Sequence, residues 1–146
     1  MAGFTPIRST STEEDMLVTI SSNAVTLGDM LELDLGATAW TDADASTQHW
    51  QLKLVASETV TTAATEIKGR LVASGQMWEA ESVNASSASD NGDRMLLTDT
   101  NTVNNTGTDN TSQEAVFLQL GVLGAASDNR IWGMIIPGTG IDPDAA

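Results

Sequence analysis

From Asp15 onward, short apolar runs are separated by turn-rich segments, the spacing of an all-β domain. Met16–Ile20 (MLVTI) reads as a first strand. Leu31, Leu33 and Leu35 alternate with Glu32 and Asp34, which predicts one buried and one wet face, and Gly36 ends the run. In Gln48–Val55, Trp50, Leu52 and Leu54 share a face while His49, Gln51 and Lys53 share the polar one. Gln76–Val83 alternates again, and Met95–Thr98 is a short strand.

Glu58–Ala73 is ambiguous. Val60, Ala63, Ala64, Ile67 and Leu71 follow helical spacing, but Gly69 and the Thr run resist a helix. A short helix or irregular crossover is expected there, followed by a strand through Arg70–Ala73. The most apolar stretches are Gln113–Leu123 and Arg130–Ile136, joined by Gly124–Asn129 at hairpin length. Val116, Leu118, Leu120 and Val122 share one face and Phe117 lies on the other, so the two stretches read as paired central strands.

Two segments read as loops. Asn84–Gly92 is small and polar, and Asp90-Asn91-Gly92-Asp93 is a turn signal. Asp99–Ser112 has one apolar residue, Val103; a loop that long is usually functional or mobile. Pro137, Gly138 and Gly140 close the fold. The expected organisation is an extended N-terminal arm over 1–15, one β-rich domain over 16–141 and an acidic tail over 142–146. The fold class is all-β, mainly β with at most one short helix, built as a small β-barrel, jelly roll or sandwich.

Composition narrows the function. At 146 residues the chain suits one domain, able to bury roughly 68–70% of its unfolded surface. It has no Cys and one His, which removes disulfides, thiolate chemistry and most His-based metal sites. Twenty acidic against six basic residues give a net charge of −14, so no nucleic acid and no anionic membrane surface is expected as a partner. No apolar run approaches the roughly 18–20 residues of a membrane span, and Met1–Asp15 lacks a basic start and apolar core of a signal peptide. Ser and Thr number 32, a soluble, well-hydrated composition also seen in high-salt organisms.

Candidate chemistry is sparse. His49 is the one possible imidazole base, but the chain has no G-x-S-x-G elbow to supply a Ser nucleophile, so on the polar face of its strand it reads as a solvated residue. The close acidic pairs Asp42/Asp44, Glu79/Glu81 and Asp142/Asp144 are what a chain this acidic produces by chance. Asp42-Ala43-Asp44-Ala45-Ser46 opens like a calcium loop, but Thr47 stands where that loop needs Gly and Lys53 where it needs Glu. Asp90, Asn91 and Asp93 form a second acidic turn. Gly138-Thr139-Gly140 is no dinucleotide fingerprint. The N-x-S/T matches at Asn84, Asn104 and Asn110 reflect Asn, Ser and Thr richness. Trp40, Trp50, Trp78 and Trp132 supply core bulk or, alternatively, a sugar-stacking platform. No catalytic residue, cofactor or metal site is expected, and the chain reads as not an enzyme.

The arm Met1–Asp15, the Thr/Ala-rich middle ending in Ile67–Gly75 (IKGRLVASG) and the apolar close Arg130–Gly140 (RIWGMIIPGTG) together resemble the head decoration (capsid cement) proteins of tailed viruses. The resemblance implies a β-barrel or jelly roll on the outer surface of the virion capsid, bound to the major capsid protein and to neighbouring copies as a trimer on the shell. In that reading the arm orders on binding, with Phe4, Pro6 and Ile7 as apolar anchors and Arg8 as a salt-bridge donor. Loop Asp99–Ser112 then faces solvent or a neighbouring copy. Removing residues 1–8 is expected to leave a folded domain that no longer binds. The alternatives are a tail, fibre or adhesin-type module for a host surface glycan or receptor, and an acidic hydrolase with a carboxylate pair.

Overall fold

The computed structural model describes residues 3–8, 15–21, 23–106 and 114–143. Its strands are β1 (Thr5–Arg8), β2 (Met16–Thr19), β3 (Met30–Leu33), β4 (Thr41–Asp42), β5 (Leu52–Ala56), β6 (Glu66–Leu71), β7 (Met77–Ser82), β8 (Arg94–Leu97), β9 (Thr102–Asn104), β10 (Phe117–Leu123) and β11 (Arg130–Ile135). The helical content among the described residues is two 3-10 turns, Ala88–Asp90 and Ala126–Asp128. The all-β class therefore holds.

One sheet runs β1-β7-β11-β10-β8-β9, and it curls until β9 pairs back, in parallel, with the far end of β7. The other runs β2-β6-β5-β3-β4, antiparallel throughout. It curls too, since Trp40, next to β4, bridges to Ile20 at the end of β2. Phe4, Met30, Val55, Trp78, Phe117 and Ile131 belong to a core between the sheets, and Leu31, Trp40, Leu54, Ala56 and Ile67 to a second core. In β5 the neighbours Leu54 and Val55 belong to different cores, so this strand is buried on both faces. The segments around Val25 and Val60, bridged to each other, cover the second face.

That double burial corrects the predicted wet faces. Glu32 is buried and Lys53 is completely so, while Leu35, placed on the apolar face, is 71% exposed beyond the end of β3. The period of two was real, but it alternated between two interiors.

The helix or crossover expected over Glu58–Ala73 is also corrected, because β6 occupies Glu66–Leu71 as an inner strand between β2 and β5. Gly69 lies between Met16 and Ala56 in register, and a Cβ there would meet Leu54 Cδ2 at 2.0 Å. A close strand approach explains this glycine better than a helix break.

β10 and β11 pair as expected. Phe117 and Gln119 are fully buried, while Leu118, Leu120 and Val122 are half-buried. The register slips between Gln119 and Gly121, so Leu120 stands as a bulge and Val122 returns to the inter-sheet core. Buried Gln119 is satisfied by Ser86, by the backbone of Ser87 and by Asn91, which fastens the 84–92 loop to β10. Within the stretch read as a long loop, Val103 is fully buried and builds β9 around itself. Residues 107–112 of that stretch lie outside the described ones.

The N-terminal segment is the largest correction. Residues 3–8 do not form a separate arm: Gly3 N–H donates to Asn101 O, Phe4 N–H donates to Gly28 O, and β1 pairs with β7. Phe4 is 2% exposed, its ring centroid 6.2 Å from that of Phe117. Burying a phenyl ring stabilises by roughly 1.5–3 kcal/mol, enough to hold a short segment that propensity alone would leave loose. Residues 1, 2 and 9–14 of the expected arm, and 144–146 of the expected tail, lie outside the described residues.

Candidate functional site

β1 is a short edge strand. Pro6 lacks a ladder donor and the register shifts between Pro6 and Arg8, two features that keep a sheet edge from extending indefinitely. Beside it a cavity of about 280 Å³ opens between the sheets. Phe4, Val55 and Trp78 give it an apolar floor, and Pro6, Leu27 and Ala56 form walls. Gly3 and Gly28 both have positive φ, and a Cβ on either would lie 3.2 Å from the other's Cα, so the close approach of these two segments requires glycine.

The rim carries charge. Asp15 Oδ1 accepts a hydrogen bond from Ser57 Oγ at 2.8 Å and lies 4.0 Å from Arg70 Nε. Of the lining residues Leu27 is 50% exposed, and Ile7, next to Pro6 in β1, is 50% exposed as well. The arrangement offers an apolar recess with exposed aliphatic side chains close by, suited to gripping a side chain or an extended segment of a partner.

The four anchors expected from the sequence separate here. Phe4 is corrected: it belongs to this chain's own core and is not available to a partner. Pro6 and Ile7 are exposed on β1. Arg8 lies at the end of β1, opposite Met77.

A second cluster was not anticipated. Lys53 Nζ donates to the carbonyls of His49, Gln51 and Ile136, each at 2.9 Å. Opposite it in register, Glu32 accepts from the Thr47 hydroxyl, and burial raises the Glu32 carboxyl above its ordinary value. Glu114 accepts from the backbone N–H of His49 at 2.9 Å and lies 2.5 Å from His49 Nδ1. His49, expected as a solvated residue, is exposed and is engaged by the Glu114 carboxylate. With its donors aimed at main-chain oxygens, the cluster ties segments together. In sequence, Lys53 gave no hint of this, standing on what looked like a polar strand face.

The remaining candidates are dispersed. Trp40 and Trp78 are buried, in different cores, so four tryptophans do not make one platform; Trp50 and Trp132 stay half-buried. In the calcium-like stretch, Asp44 Oδ1 is engaged by the N–H and hydroxyl of Ser46, and Asp42 accepts from Asn23. Burial, then the neighbouring charge of Asp29, raises the Asp42 carboxyl. Asp90 caps a 3-10 turn by accepting from Ser87 N–H, which holds its carboxyl below the usual range. Among the described residues no three His, Cys, Asp or Glu side chains gather as a metal site, and no helix is long and apolar enough to cross a membrane. No protein-family model matches this chain, and a search of curated proteins returns no match.

Proposed function

We propose that the chain is a virion structural protein of the decoration, or cement, type, which binds the outer face of an assembled capsid and stabilises it. The observation that carries this reading is the edge of β1, where exposed Pro6 and Ile7 adjoin an apolar cavity on an otherwise strongly acidic molecule. In this reading the major capsid protein supplies the group that enters the cavity, and neighbouring copies group as trimers on the shell. A ligand that binds only the assembled shell favours assembly by mass action, and repetition over many sites lets each contact be weak. The acidity suits an outer surface, away from the packaged genome.

The test is the melting temperature of virus shells from the same source, stripped of minor proteins, with and without the purified chain. A saturable rise supports the reading; an unchanged melting temperature at saturating protein counts against it. Half-buried Trp50 and Trp132 favour a second reading, a module that binds a host glycan or receptor. Oligosaccharide-dependent changes in Trp fluorescence, without shell binding, would select that one.

A further inference from the structure

The turn Asp90-Asn91-Gly92-Asp93 holds the chain's one Asn-Gly pair. It is a type II turn: Asn91 has φ −63° and ψ 131°, Gly92 has φ +93°, and Asp93 N–H donates to Asp90 O at 3.0 Å. The positive φ calls for glycine at position 92, where a side chain would be strained. That same glycine removes the bulk that elsewhere shields a main-chain nitrogen from the asparagine side chain before it. Asn91 and Gly92 are both exposed, so water and hydroxide reach them.

An Asn-Gly pair carries its own reaction. The Gly92 nitrogen gives up its proton to base and attacks Asn91 Cγ. A C–N bond closes a five-membered succinimide ring, and the side-chain nitrogen takes up protons and leaves as ammonia. Water then opens the ring. Breaking the new Cγ–N bond leaves aspartate; breaking the original peptide C–N bond leaves isoaspartate, with the main chain rerouted through the side chain. The sum is an amide and water giving a carboxylate and ammonium, with no oxidant or cofactor.

Both reacting groups are held by one residue of β10. Gly92 N–H donates to Gln119 O at 2.8 Å, and Gln119 Nε2 donates to Asn91 Oδ1 at 3.0 Å. Gln119 is completely buried and is fixed in turn by the Ser86 hydroxyl and the backbone of Ser87. Removing the Gly92 proton would leave an amide anion facing the Gln119 carbonyl, with their hydrogen bond lost. Ring closure also needs the Gly92 nitrogen turned to the side of the Asn91 side chain. At ψ 131° the peptide is turned away from it, and the turn's bonds to Asp90 and Gln119 oppose its rotation. A donor on Oδ1 does draw electron density from Cγ, but this assists only an attack that the docked turn does not permit.

We propose that Asn91 is a latent self-modification site, convertible to aspartate or isoaspartate by its own chain, and that docking of the turn on Gln119 keeps it intact. This holds whether or not the chain binds a capsid. The full-length protein is aged at mildly alkaline pH, folded in one sample and in guanidinium chloride in another. Conversion in the peptide containing Asn91 is followed by the amide-to-acid mass shift and by separation of the isoaspartate isomer. Conversion is expected in denaturant and at least about tenfold slower in the folded chain. No conversion in denaturant, or a smaller difference between the two samples, overturns the proposal. Gln119→Met, folded, should convert faster than the wild type, and the milder Ser86→Ala replaces it if that variant does not fold. A folded variant that converts no faster than the wild type overturns the part assigned to Gln119.

Discussion

At the scale of the residue, the same side-chain types play opposite parts depending on what covers them. Phe4 and Ile7 are three positions apart in one short strand region, yet Phe4 fills the core and Ile7 is half exposed. Phe4→Ala is expected to lower unfolding free energy by about 3–5 kcal/mol, the usual result of emptying a buried aromatic site. Equilibrium denaturation checks this, and a loss under about 0.5 kcal/mol would place Phe4 at the surface after all. Glu32 supplies a pH test. Its carboxyl is raised above the ordinary 4.5 by burial, so between those two values the folded chain holds more protons than the unfolded chain. Stability contributed through Glu32 therefore falls as the pH rises through that window. Glu32→Gln removes the charge, so the variant's stability relative to wild type should improve from about pH 4 to about pH 7. A difference that is constant or worsens over that range contradicts the burial argument.

At the scale of the element, β1 is a structural strand at the very edge proposed to meet a partner. Removing residues 1–8 deletes Phe4 and the β1–β7 pairing, so truncation is expected to lower the melting temperature markedly as well as abolish binding. Substitutions confined to the exposed side separate the two effects: Ile7→Asp should change stability by no more than about 0.5 kcal/mol, as surface replacements usually do. Much of this architecture was legible in the sequence. The alternations around Leu52 and Leu54 and around Trp78 marked real strands, and the β10–β11 pairing followed from the hydrophobicity of Gln113–Leu123 and Arg130–Ile136. What was not legible depended on distant partners. β1 pairs with residues some seventy positions away, and four residues are too few for a period to show. β9 rests on the single side chain of Val103. Burial of Lys53 required knowing that the turn before β5 and the segment after β11 meet at its ammonium group, which no local pattern encodes. Of the candidate site, the apolar character of Pro6 and Ile7 was visible in the sequence, but the cavity beside Pro6 draws on β1, β5, β6, β7 and the Leu27–Gly28 turn, which meet only in the folded chain.

At the scale of the whole molecule, charge and shape point the same way. A chain of net charge −14 repels itself, and its exposed charges are screened over about 10 Å at 0.1 M salt. Its melting temperature should therefore rise as ionic strength goes from about 0.01 to about 0.15 M; a fall would mean that specific ion pairs, such as Arg130 with Glu79 and Glu81, outweigh the general repulsion. The acidic surface leaves few places where a partner can make a dry contact, and the recess beside β1 is one. The most direct measurement is co-sedimentation of wild type and Ile7→Asp with stripped shells, across a concentration series. Saturable binding of the wild type at a fixed ratio to the shell subunit, lost in a folded Ile7→Asp, is the predicted result. Equal binding by both proteins, or none by the wild type, would contradict the assignment of this edge as the shell-binding site.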